Sequence, residues 1–382
     1  MIKFRCLLVL IAVATSSLGS PPQQGNQKAV QIWTAGFGPT SVVKVRNPKF
    51  VWQVWADGNS KITGCNMIIN GKKVDATYDA TTKEVYFESS EPLPPGTYEV
   101  LAKIKVDNWA NFDKKWTVVI GSDAVKNGAE LTKDSRQAIE EFNRIRTEHG
   151  LAAVKFDSYL NLAATSHTNY LTINKEGGHS EDPSKPGYTG AEPRDRVNLF
   201  GHVGASWEVV SMGGKNPADG IRGLWDAPYH RIPMMHSGPG IVGASFMEQY
   251  FTMDGEGSNI NGIFVSPPNN GRDVSPSWHN AEIPDPTRNY PEAEVNLGYP
   301  IVMNVHEDGI DQLTILDTDF DSALGVNVPR YELSPTTDPF LHNSIILIPK
   351  KPLDPNTTYS VRVKVKDNKG KIHEKSWKFT TK

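Results

Sequence analysis

Lys351-Pro-Leu-Asp-Pro-Asn-Thr-Thr-Tyr359-Ser-Val361 is the stretch from which the architecture can be read, because the chain has a close echo of it at Glu91-Pro-Leu-Pro-Pro-Gly-Thr-Tyr98-Glu-Val100. Each tyrosine opens a clean alternation. One runs Tyr98, Val100, Ala102, Ile104, Val106; the other runs Tyr359, Val361, Val363, Val365. The residues between are largely charged or polar. In both copies a tryptophan follows the tyrosine by 18 positions, at Trp116 and Trp377. Period two with one apolar face predicts an antiparallel strand lying over a core. Asp107-Asn108 and Asp367-Asn368-Lys-Gly370 supply the turn chemistry for a hairpin after each strand.

Outward from these hairpins, residues 25–122 and 286–382 read as two all-β sandwiches of the immunoglobulin-like kind. The Leu-x-Pro-x-Thr-x-Tyr run at 353–359 resembles the tyrosine corner of such sandwiches. Trp116 and Trp377 are expected in the two cores. The segment between them changes character. Residues 130–230 carry a helical period, with Ala138, Phe142 and Ile145 on one face, Asp134 as a candidate cap and Gly150 as a stop. Asp157-Ser158 opens a second helix whose inner face is Leu160, Ala163, Ala164, His167 and Leu171. Asn216 and Pro217 open a third, with Ile221, Leu224 and Trp225 turned inward. Two short strand-like runs follow, 240–244 and 248–252, so the middle is α+β.

Seven of the ten histidines lie between 149 and 279. His179, in Gly177-Gly-His-Ser-Glu-Asp182, and His230, in Pro228-Tyr-His-Arg231, bracket Glu208. Two imidazoles and a carboxylate suit a divalent metal such as Zn²⁺, or acid–base chemistry. Their gaps of 29 and 22 residues fix no local geometry, unlike a His-Glu-x-x-His helix. His167, on an apolar helix face, reads as a hydrogen-bonded core histidine, and His149 as a helix C-terminal residue able to meet the dipole.

Several pieces, taken in order, resemble the CAP superfamily (cysteine-rich secretory proteins, antigen 5 and pathogenesis-related proteins; the SCP domain). They are Asn143-Arg-x-Arg146 with Gly150-Leu151, Asp157-x-x-Leu160 with Ala163-Ala-x-x-His167, Gly178-His179-Ser180, Trp207-Glu208-Val209, and Leu224-Trp225 with Pro228-Tyr-His-Arg231. The last resembles bacterial members, and Glu282-Ile-Pro-Asp-Pro286 with Gly298-Tyr-Pro-Ile301 resembles the junction to their C-terminal sandwich. The resemblance implies a multidomain chain: an α-β-α sandwich of the CAP fold over 130–265, a linker at 266–285, and an immunoglobulin-like sandwich on either side. It also implies a cleft lined by two histidines and two glutamates, where some members bind Zn²⁺. His179 and Glu208 match their slots. The second glutamate would fall at Pro228. The second histidine, which in the family opens a His-Phe-Thr-Gln strand, is replaced by tyrosine in Tyr250-Phe-Thr-Met253, so His230 is the available second imidazole. The expected metal ligands, and the candidate catalytic residues, are therefore His179, Glu208 and His230; the cofactor expectation is Zn²⁺ or none.

Residues 1–19 read as a secretory signal peptide: Lys3 and Arg5, an apolar run from Cys6 to Ala14, then small residues. Its removal would leave Cys65 as the lone cysteine and move the net charge from -3 to -5 by the loss of Lys3 and Arg5. An exported chain without an internal disulfide fits a bacterial origin. With 40 basic and 43 acidic residues and no long basic stripe, a nucleic-acid partner is not expected. No run is long and apolar enough for a transmembrane helix. The function expected is a secreted binding or interaction module, extracellular or at the cell surface, whose ligand is a peptide, glycan or lipid. The alternative is a secreted hydrolase or peptidase using the His/Glu site, with or without metal. A lipid- or sterol-binding groove, as some CAP proteins carry, is a third reading.

Overall fold

The computed structural model describes residues 30–382. The expected signal peptide at 1–19, with Cys6, and the start of the first sandwich at 25 lie outside the described residues. Two compact units emerge, one of residues 30–129 with 194–205, the other of 130–193 with 206–382. The chain is multidomain and mostly β, with few helices.

The first unit contains β1 (Ile32–Gly38), β2 (Val42–Val45), β3 (Lys49–Ala56), β4 (Ile62–Ile69), β5 (Lys72–Val74), β6 (Thr77–Asp79), β7 (Glu84–Glu88), β8 (Gly96–Val106) and β9 (Ala110–Val125). They form a four-stranded sheet, β1-β3-β7-β6, and a five-stranded sheet, β2-β9-β8-β4-β5. The first sequence repeat is the β8–β9 hairpin, in which Tyr98 faces Val118 and Val100 faces Trp116. Asp107 and Asn108 at its turn both have positive φ, 49° and 64°, as a two-residue turn matched to strand twist requires. Val100, Ala102, Ile104, Val106 and Trp116 are buried. Residues 194–205, expected within the central domain, cluster with this unit instead. At Gly201 a β-carbon would come within 2.9 Å of Val45, so that loop can lie against the sandwich only without a side chain there.

The second unit opens with α1 (Lys133–Glu148), β10 (Val154–Phe156), α2 (Ser158–Asn174), α3 (Pro193–Leu199), β11 (Trp207–Met212), α4 (Pro217–Asp226), α5 (Pro228–Met234), β12 (Gly240–Met247) and β13 (Tyr250–Gly257); most of α3 belongs to the first unit. α2 starts where the sequence reading opens it, with Asp157 accepting from Tyr159 and Leu160 N–H, and α4 is capped by Asn216, which accepts from Asp219 N–H. The α1 cap is Thr132, which accepts from Ser135 N–H; Asp134 falls inside the first turn, where its charge meets the helix N-terminus. The sheet order is β10-β12-β13-β11. Val209, Val242, Ala244, Phe251 and Met253 join one hydrophobic cluster with Phe142 of α1 and Ile221 and Leu224 of α4. Tyr250 and Val210, alternate to these along the strands, pack with Tyr170 and Leu171 of α2.

The rest holds β14 (Gly262–Ser266), β15 (Gly271–Val274), β16 (Ser277–His279), β17 (Asn296–Gly298), β18 (Ile301–His306), β19 (Leu313–Ser322), β20 (Arg330–Leu333), β21 (Ser344–Pro349), β22 (Thr358–Asp367) and β23 (Ile372–Thr381). Two four-stranded sheets, β14-β18-β21-β20 and β15-β23-β22-β19, enclose Phe320, Leu347, Val361, Val363, Trp377 and Phe379. The second repeat is β22–β23, with Val361 facing Trp377 as Val100 faces Trp116. Tyr359 Oη accepts from Asp354 N–H at 2.8 Å, while Tyr98 Oη donates to Pro94 O at 2.7 Å. Residues 266–285 are not a linker: β15 pairs with β23 and β16 with β17.

Candidate functional site

His179 follows the end of α2. Lys175 closes that helix in the left-handed region, at φ 55°, and Gly178 turns the chain at φ +104°, a value that suits glycine. This sharp exit brings the His179 ring to Glu208, with Nδ1 2.8 Å from Oε1. Glu208 is the second residue of β11, next to Val209. Strand alternation therefore turns it away from the α1–α4 cluster, toward the side covered by α2. Its side chain is only 1% exposed, whereas that of His179 is 41% exposed.

His230 lies in the first turn of α5. Pro228 is the first residue of that helix, where a missing N–H costs nothing. This explains why the position expected for a family glutamate can be proline, but it leaves His230 without that carboxylate. Glu282 supplies one. Its Oε1 accepts from the His230 backbone N–H at 2.9 Å and lies 2.8 Å from His230 Nδ1. The Glu282 side chain is fully buried, and its Oε2 makes no hydrogen bond. Glu282 sits between β16 and β17, in the segment read from sequence as a linker.

The two histidines meet. Their ring centroids are 6.3 Å apart, with ring planes at 29°. Each imidazole thus has a buried carboxylate on Nδ1. A carboxylate there favours the Nδ1–H tautomer and leaves the Nε2 lone pair available. The site therefore brings together all three residues expected from sequence, and adds Glu282. Only the presence of Glu282 in the quoted junction motif hinted at it; its separation from His230 carries no spacing signal. Among the described residues no group of three or more His, Cys, Asp or Glu is arranged to hold a metal ion. Glu208 faces His179 as an orienting group, so an ion here would have two protein nitrogens.

Tyr250, in the place of the family's strand histidine, is buried against Tyr170 and Leu171 and serves the core. His167 is buried, as its helix face required, with Nδ1 2.9 Å from Glu181 Oε1 and Nε2 3.0 Å from Gly178 O.

No curated protein matches the chain in sequence. Among solved structures, an outer surface protein of Borrelia burgdorferi is 14% identical, with 35% of this chain and 98% of that one covered at a TM-score of 0.29. An extracellular protein of Bacillus anthracis containing an SCP domain is also 14% identical, with 45% and 64% covered at a TM-score of 0.29. Fibronectin(III)-like modules of Clostridium thermocellum are 7% identical, with 93% and 94% covered at a TM-score of 0.19. The model of the CAP family, described as the Cysteine-rich secretory protein family, matches residues 139–281, a stretch that ends one residue short of Glu282. Residues 139–281, which run from α1 through the strands that lead to the site, are thus the part of this chain that is similar to the CAP family.

Proposed function

We propose that the protein is an exported interaction module whose CAP domain presents a divalent-cation cleft, with Nε2 of His179 and Nε2 of His230 as the protein donors. The observation that carries this reading is the facing pair of Glu–His dyads, Glu208–His179 and Glu282–His230, with ring centroids 6.3 Å apart. Zn–N bonds of about 2.0–2.1 Å at a tetrahedral angle put ring centres roughly 5 Å apart, so the two rings close by about 1 Å when they share one ion. The donor set suits Zn²⁺: neutral imidazoles, each oriented by a carboxylate that also balances charge. Two protein nitrogens leave positions open for water or for a ligand group, which fits recognition of a peptide or glycan carboxylate or hydroxyl. The secretory character of residues 1–19 supports export, and the flanking sandwiches suit a spacer or docking role.

Calorimetric titration of Zn²⁺ into the wild type and into a His179→Ala/His230→Ala variant tests the cleft. The expected result is one equivalent bound by the wild type and none by the variant; equal binding by both contradicts the reading. The same dyads fit a hydrolase, because a carboxylate-oriented imidazole is a suitable general base. Cleavage in a broad peptide library that disappears in Glu208→Gln would favour that second reading over a binding module.

A further inference from the structure

The loop that carries His179 rests on a histidine already assigned to the core. His167 has no exposed side-chain surface. Its Nε2 is 3.0 Å from Gly178 O, a group that only accepts, so Nε2 carries a hydrogen. The same nitrogen lies 3.8 Å from Glu208 Oε1, the oxygen that receives His179 Nδ1. On the other side of the ring, Nδ1 is 2.9 Å from Glu181 Oε1. Glu181 is anchored in turn. Its Oε2 accepts from Thr189 N–H at 2.6 Å and Gly190 N–H at 3.2 Å, and its own N–H donates to Ala191 O at 2.9 Å.

The ring is therefore held on the inside by Glu181, and on the outside it faces two parts of the cleft, the residue before His179 and the carboxylate that orients it. Packing alone does not account for this choice of residue. The neighbours on the same helix face are Leu160, Ala163, Ala164 and Leu171, and an apolar side chain would fill the position without the cost of burying a polar ring.

We infer that His167 is a positioning residue of the cleft. It fixes the Gly178 carbonyl, and so the direction in which His179 leaves the loop toward Glu208 Oε1. It touches no ligand itself. The inference rests on the reading of His179 and His230 as a shared site.

The test compares His167→Phe, which keeps a ring but no donor, with His167→Gln, whose amide can still donate to Gly178 O. Leu171→Ala serves as the control for lost packing in the same helix. Two quantities are read: the His179 tautomer by long-range ¹H–¹⁵N correlation without metal, and Zn²⁺ affinity by calorimetry. The wild type is expected to show His179 as one tautomer with hydrogen on Nδ1. His167→Phe is expected to give mixed tautomers and at least tenfold weaker Zn²⁺ binding, His167→Gln to recover most of both, and Leu171→Ala to change neither. If His167→Phe and Leu171→Ala behave alike, the positioning role is wrong. Should the phenylalanine variant not fold, the wild type still decides, since a His167 signal without hydrogen on Nε2 overturns the inference. Absence of Zn²⁺ binding in the wild type would sink the cleft reading alone, because the tautomer comparison needs no metal.

Discussion

At the scale of single residues, the site is two imidazoles whose chemistry is set by their carboxylates. Replacing Glu208 or Glu282 with glutamine keeps shape and removes charge. Loss of such an orienting partner typically weakens a metal site about 10–100-fold, and each variant is expected to do so in a Zn²⁺ titration while His179 and His230 remain in place. Glu208 was legible in the sequence because a motif surrounds it. Glu282 was not, because its partner is 52 residues away and only tertiary packing joins them. Histidines elsewhere set a pH dependence. Burial pushes His149 and His306 down to about 4, and burial with the Arg146 charge pushes His236 down to about 3. His149 is therefore neutral near pH 7 and cannot complement the helix dipole as a cation; it bonds Ile145 O and Ser266 Oγ instead. The unfolded chain binds protons at these positions near pH 6.5 and the folded chain does not, so stability falls as pH drops from about 6.5 to about 4. Chemical denaturation at pH 7 and pH 4.5 should show this loss, and His149→Gln should make it smaller.

At the scale of elements, the sequence was most readable where one face is buried and the other wet. The alternation from Tyr359 to Val365 reads as a strand with one inner face, and the structure adds its register, with Val361 opposite Trp377. The same logic failed for β18 and β21, every residue of which is buried. Ile345-Ile-Leu-Ile348 is a continuous apolar run, the signature of a strand covered on both sides. On one side Ile345 and Leu347 fill the sandwich; on the other Ile346 and Ile348 join the cluster of α1 and α4. Helix α2 depends on a different detail. A β-carbon at Gly243 would lie 2.0 Å from Asn161 N and 2.3 Å from Leu160 C, so the helix backbone rests directly on β12. Gly243→Ala must push α2, and His167 with it, off the sheet. Overpacking of this kind costs about 1–3 kcal/mol, and more where backbone is hit; a fall in denaturation midpoint of at least that size is expected, and an unchanged midpoint would contradict the packing described.

At the scale of the whole second unit, the CAP domain and the C-terminal sandwich share one body. Besides the common apolar cluster, buried Arg231 of α5 donates to Pro300 O at 2.8 Å and to Ser266 Oγ at 3.3 Å. Arg288 bonds both Tyr229 Oη, at 2.7 Å, and Asp338, at 2.9 Å. Residues 130–382 are expected to unfold in a single transition, with tryptophan fluorescence and far-ultraviolet circular dichroism giving coincident curves. A fragment of residues 130–281 keeps the matched family segment but loses Glu282 and seven buried residues of its apolar cluster, Ile346 and Ile348 among them, and should not give a cooperative transition. The cleft itself turns on one ion and two histidines. Anomalous diffraction at the zinc edge from crystals of the Zn²⁺-loaded protein measures it most directly. One peak is expected within about 2.0–2.1 Å of both His179 Nε2 and His230 Nε2; a peak bound to only one of them, or none in the cleft, would rule out a shared site.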